Sequence, residues 1–137
     1  MKITVQTAVK APLQRVWDAW NTPEDIKCWN AASDDWHTPR SSVDLREGGK
    51  FSARMEARDG SMGFDFEGTY TRIVPGRLIE YRIGDGREVS VEFREDEGRV
   101  QVRETFDAET ENPPEMQRGG WQSILDSFAR YVEGGRS

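Results

Sequence analysis

Between Phe51 and Phe106 the chain repeats one operation: a run of alternating apolar and polar residues, then a turn on glycine. Phe51 to Arg58 alternates around Phe51, Ala53 and Met55, and Asp59-Gly60-Ser61 reverses it. Phe64, Phe66, Gly68 and Tyr70 share the next face, which ends at Pro75-Gly76, a pair suited to a type II turn. Arg77 to Ile83 and Glu88 to Arg94 flank Gly84-Asp85-Gly86, and Asp96-Glu97-Gly98 leads into Arg99 to Phe106. Period-two segments joined so tightly can only be antiparallel neighbours. Adding Lys2 to Val9, with Ile3, Val5, Thr7 and Val9 on one side, and a short strand from Val43 to Arg46 gives about seven strands.

The rest of the chain reads as helix. Pro12 suits a first helical position, and Leu13, Val16, Trp17 and Trp20 follow at helical spacing. Thr22-Pro23-Glu24-Asp25 starts a second short helix carrying Ile26 and Trp29. Asn30 to Pro39, which holds the only histidine, reads as polar and irregular. A long final helix is expected from Asn112 as N-cap, with Pro113 next, to a cap at Gly134. Gln117, Trp121, Ile124, Leu125, Phe128 and Val132 form one stripe on it, flanked by Tyr131 and Gly120. That stripe needs an apolar surface, and the sheet supplies one. The expectation is an α+β fold: a curved antiparallel sheet gripping a C-terminal helix, as one domain over residues 1–137.

Composition narrows the function classes. The net charge is −6 with the basic residues dispersed, which speaks against nucleic acid or an anionic membrane as partner. A single cysteine, Cys28, excludes an internal disulfide, and beside Trp29 it reads as a small buried apolar residue. No apolar run approaches a membrane span and no signal pattern opens the chain, so it reads as soluble and cytoplasmic. No nucleophile elbow, Walker loop, dinucleotide fingerprint or metal-ligand cluster is present; no cofactor or metal is expected, and no catalytic residue can be assigned.

The succession "VWDAWNTPEDIKCW", "DLREGGKF", "FEGTYTRIVPGRLIEY", "TFD" and "GGWQSILDSFARYV" resembles the START-like superfamily, the SRPBCC or helix-grip fold. Within it the similarity is to the branch named for the activator of a heat-shock chaperone ATPase, the AHSA-type branch. The resemblance implies a seven-stranded sheet around the long helix, two short helices between strands 1 and 2, and a cavity between helix and sheet. Across the superfamily that cavity takes apolar molecules. The eponymous co-chaperones use more than one domain, and fold alone does not fix activity.

The residues then fall into place as alternatives. Trp17 and Trp20 read as core. Trp121, Phe66, Tyr70, Tyr81 and Phe93 fall where helix stripe and inner sheet face meet; they are either the walls of a ligand cavity or simply core. Met55 and Leu125 join them. Glu104 shares its side of the strand with Val100, Val102 and Phe106, so alternation turns a carboxylate inward. There it would pair with Arg46 or Arg82, anchor a ligand, or act as a general acid or base; a bulge after Val102 would instead turn it out. Gln117 is a second polar contact. His37 is the residue type that ordinarily titrates near neutrality, and reads as an exposed loop histidine or a contact at the cavity mouth. Gly119 and Gly120 each weaken a helix by about 1 kcal/mol; either Gly120 lets the helix approach a strand, or the pair loosens the helix over the cavity mouth.

The expected function is binding of a small apolar or aromatic ligand through Met55, Phe66, Tyr70, Tyr81, Phe93, Glu104, Gln117, Trp121, Leu125 and His37. The alternatives are a co-chaperone-like interaction with a chaperone partner, or a cyclase- or hydrolase-type enzyme using the same cavity. Pairing into a homodimer stays open.

Overall fold

The computed structural model describes residues 1–134. Its elements are β1 (Lys2–Val9), α1 (Leu13–Asn21), α2 (Pro23–Trp29), β2 (Trp36–Val43), β3 (Lys50–Ala57), β4 (Gly63–Val74), β5 (Leu78–Ile83), β6 (Glu88–Asp96), β7 (Arg99–Asp107) and α3 (Pro114–Glu133). The seven strands form one antiparallel sheet in the order β1-β7-β6-β5-β4-β3-β2. It is a meander from β2 to β7 with β1 added beside β7, curled into a half-barrel. The α+β helix-grip architecture expected from the sequence is the one observed.

Alternation placed β3 to β7 because each of them turns one face to the core. Along β7, Val100, Val102, Glu104 and Phe106 are buried while Arg99 and Arg103 are exposed. The core lies between this concave face and α3, where Ile3, Ile79, Phe106, Leu125 and Phe128 are fully enclosed. Phe128 meets Trp20 and Trp29 edge-on, with both centroid separations 4.9 Å, and those two indoles stack at 5.0 Å. The Trp29 indole N–H also donates to the Ala19 carbonyl at 2.9 Å, pinning α2 to α1. Trp17 is core, as expected; Trp20 packs against that core but is only partly buried and also borders a cavity beneath α3.

α3 is tied to the sheet along β1. Arg118 donates to the Thr4 carbonyl (3.0 Å) and Gln122 to the Gln6 carbonyl (3.1 Å), both on the edge of the sheet away from β7. The Glu133 carboxylate accepts from the Lys10 backbone N–H at 2.8 Å. Helix and edge strand are stitched along their length.

Three local expectations are corrected. The strand placed at Val43–Arg46 ends at Val43 and begins at Trp36, inside the stretch read as irregular. It is an edge strand with Thr38 as its only fully buried residue, and its pairing shifts between His37 and Arg40 around Pro39. Proline is tolerated at such an edge or bulge, but it hides the strand from a pattern search. α3 starts at Pro114, with Pro113 as N-cap; Asn112 instead gives its side-chain amide to Glu109 at 3.0 Å. Cys28 is exposed on the outer face of α2, its thiol turned to the Glu24 carbonyl, because Trp29 takes the inward position.

Gly68 shows how tightly β4 is built. It pairs with Phe51 on one side and Ile83 on the other. A Cβ there would lie 2.6 Å from the Phe51 ring and 2.9 Å from the Arg82 backbone oxygen, which cannot swing aside. Gly68→Ala is therefore expected to destabilise by about 1–3 kcal/mol through overpacking, read as a lower urea midpoint at unchanged m-value.

Candidate functional site

The N-terminal half of α3 does not pack flat on the sheet. A cavity of about 390 Å³ lies beneath it. Met116, Gln117, Gly120, Trp121 and Ile124 of α3 form the roof, and Phe51, Phe66, Tyr70, Tyr81 and Glu104 stand out on the sheet side. Ile26 and Trp29 close one end, while Arg87, Glu109 and Asn112 also border the space.

The roof and floor are ring systems in contact. Trp121 stacks on Phe106 with centroids 3.9 Å apart and meets Phe66 edge-on at 6.2 Å. Phe51 touches Phe66, Tyr70 and Tyr81, at 5.8, 5.3 and 4.8 Å between centroids. Rings that brace one another hold a concave surface open at little entropic cost and offer flat faces to a planar ligand.

Of the ten residues singled out from the sequence, Met55, Phe66, Tyr70, Tyr81, Glu104, Gln117 and Trp121 line this space. Phe93, Leu125 and His37 do not. Phe93 lies under α1, edge-on to Trp17 at 5.2 Å, because its strand runs beneath the short helices. Leu125 is fully buried between α3 and the sheet. His37 is half-buried in β2 opposite Glu56, with its Nε2 3.9 Å from that carboxylate, so it is neither in a loop nor at the cavity. Sequence reasoning missed Phe51, whose place on the inner face was visible but whose central contact with three rings depends on the glycine opposite it.

Gln117 is buried and largely committed. Its amide nitrogen donates to the Glu109 and Asn112 carbonyls (3.1 and 2.8 Å) and its oxygen accepts from the Glu109 N–H (2.9 Å). It fixes the connection from β7 to α3, and with it the rim of the cavity.

Glu104 is the anomaly. β7 carries no bulge: Glu104 pairs in register with Val5 on β1 and Val91 on β6. The side chain is 6% exposed and has no hydrogen-bond or ion-pair partner among the described residues. Arg46 and Arg82, the expected partners, are held outside by Asp44 and Glu88. No buried side-chain polar atom among the described residues is sealed off unpartnered, so the Glu104 oxygens open onto the cavity. Desolvation pushes its ionisation up to about 8, so at neutral pH it is mainly a carboxylic acid. Burial also raises the Tyr81 phenol, with the Glu104 charge adding to the effect, and lifts Tyr70 to about 12.

The two glycines of α3 part company here. The helix is continuous through both, and a Cβ at either would meet nothing within 4 Å. Close approach to a strand is thus not the reason for Gly120; it borders the cavity, whereas Gly119 faces solvent. Gly119→Ala and Gly120→Ala are each expected to stabilise the helix by about 1 kcal/mol, seen as a raised melting temperature. Only the second puts a methyl group into the roof.

A curled seven-stranded sheet closed by a long C-terminal helix over a lined cavity is the helix-grip architecture of the START-like superfamily. The chain belongs to the Activator of Hsp90 ATPase homolog 1-like protein family, whose profile matches residues 10–133. It is similar to the AHSA1-like protein from Aeromonas hydrophila, solved by NMR, at 50% identity over 98% of this chain and 94% of that one, with a TM-score of 0.93. Chr148 from Cytophaga hutchinsonii is 46% identical, covering 98% of this chain and 93% of that one, with a TM-score of 0.84. The fold extends to the Aha1 dimer from Colwellia psychrerythraea, at 18% identity over 100% of this chain and 99% of that one and a TM-score of 0.77. No curated protein gives a significant match to the sequence. No helix among the described residues is long and apolar enough to cross a membrane.

Proposed function

We propose that this chain is a binding domain for a small apolar or aromatic molecule held between α3 and the sheet. One observation carries the reading: the roof and floor meet as braced rings around about 390 Å³ instead of filling it. That volume is within the range of small-molecule sites. Phe51, Phe66, Tyr81 and Trp121 are the walls and Glu104 the polar contact. A free, exposed cysteine fits a reducing cytoplasm, where we place this activity. Titrating a panel of lipids and ring compounds while recording Trp fluorescence and amide NMR shifts tests it. Saturable shifts at Phe51, Tyr81 and Trp121 support binding, and their absence across the panel removes it.

A second reading follows from the family name and from two exposed apolar residues that line the same space, Phe64 and Met116. On this reading they dock a chaperone partner or a second copy of the chain. Retention of the wild-type chain on an immobilised cytosolic chaperone, lost in Phe64→Gln and Met116→Gln, would favour it; sedimentation of the free chain reports the homodimer.

A further inference from the structure

The neighbours of Glu104 define what it can hold. From β1 and β6 it meets Val5 and Val91 in register, both buried. Across the cavity α3 presents Trp121, Ile124 and Gln117, the last with its N–H donors already engaged. The titratable or charged groups that share the space are Tyr70 and Tyr81 on the sheet, with Arg87 and Glu109 also bordering it. Arg87 is paired with Asp85 at 2.7 Å and Glu109 is bonded by Asn112. No cation among the described residues is turned toward Glu104.

We propose that Glu104 is the polar anchor of the cavity, and that the ligand is a neutral ring compound whose carbonyl oxygen accepts a hydrogen bond from the Glu104 carboxylic acid. The inference rests on the binding reading above and adds the ligand's chemistry. An acid surrounded by valines and rings keeps its proton, because ionising it there has no compensating charge. It then offers one strong O–H donor to the cavity. A carbonyl oxygen has lone pairs for such a donor and no hydrogen that needs an acceptor. An ammonium ligand fits less well: Glu104 would first have to ionise, and a buried ion pair seldom recovers the desolvation of both charges. The arrangement of a neutral carboxylic acid in an apolar site, donating to an oxygen, is physically sound and known in other folds.

The test compares three naphthalenes of similar size: 2-acetylnaphthalene labelled with carbon-13 at the carbonyl, 2-ethylnaphthalene, and 2-naphthylmethylammonium. The ketone is expected to bind about tenfold tighter than the hydrocarbon, the worth of one hydrogen bond. Its carbonyl resonance moves downfield on binding. Glu104→Leu erases the preference and the shift while the hydrocarbon still binds. Raising the pH from 6 to 9 weakens ketone binding to the wild type but not to Glu104→Gln, whose amide N–H still donates. Equal affinity for ketone and hydrocarbon, or an unmoved carbonyl resonance, overturns the anchor and leaves the binding reading standing. So does tightest binding of the ammonium with release of a proton, which makes the site a cation site. If none of the three binds, the binding reading falls and takes this inference with it.

Discussion

Raising the pH from 5 to 8.5 is expected to lower the unfolding free energy of the wild-type protein by roughly 4 kcal/mol through Glu104 alone, at about 1.4 kcal/mol for each unit between the folded and unfolded ionisation points. The folded carboxyl ionises near 8 and an unfolded one near 4.5. Between those values the folded state holds a proton that the unfolded state has released, so each increment of pH favours unfolding. Below the unfolded value the group is neutral in both states, so this contribution is fully present and no longer changes with pH. The carboxylates of Asp35, Glu56, Asp59, Asp85, Asp107 and Glu109 behave oppositely: their hydrogen bonds hold them below the usual range, so their contribution is present above it and is lost only on acidification. Tyr70 and Tyr81 are raised from 10 and stay neutral across the window. Urea unfolding at the two pH values should therefore show a steep loss in the wild type and a nearly flat response in Glu104→Gln. Parallel slopes in the two proteins would mean that Glu104 is solvated and that the cavity's polar contact has been misassigned.

Phe128→Ala is expected to cost about 3–5 kcal/mol, the range for removing a phenyl ring from a packed core. The ring is fully buried and is the point where α3 meets the stacked pair Trp20 and Trp29, at 4.9 Å from each. Removing it leaves a hole that those indoles cannot close, since Trp29 is fixed through its N–H to Ala19. Near-UV circular dichroism should lose intensity together with stability, because two tryptophans lose their common neighbour. Met116→Ala, on the same helix but largely exposed, should stay within about 0.5 kcal/mol. A Phe128→Ala penalty near that of Met116→Ala would show that the helix is held by its β1 hydrogen bonds rather than by this cluster.

The two expected effects mark the two halves of the molecule, and the sequence spoke clearly about only one. Strands with one buried face announce themselves by alternation, so β3 to β7 were placed to within two residues. The stripe of α3 likewise located Leu125, Phe128 and Val132. β2 escaped because an edge strand with a proline and a single fully buried side chain has no alternation to detect. Around the cavity, alternation told which face Phe66, Tyr81 and Glu104 occupy, but not where along the sheet the helix lifts away. That depends on the angle of α3, fixed by Gln117 at the rim and Phe128 farther along, and no single strand encodes it. Phe93 and Leu125 carry the right pattern and sit in the solid half. Glu104 was ambiguous for a related reason: a bulge and a continuous strand read alike until the register with β1 and β6 is known.

The bonds from Arg118 and Gln122 to Thr4 and Gln6 occupy outward-facing carbonyls of the sheet's first margin. A visiting chain seeking to extend the sheet by augmentation would have to displace a helix to reach those acceptors. The opposite margin is interrupted by Pro39, which offers no N–H to a newcomer. Strand addition is thus disfavoured at the first margin by α3 and interrupted at the second by Pro39.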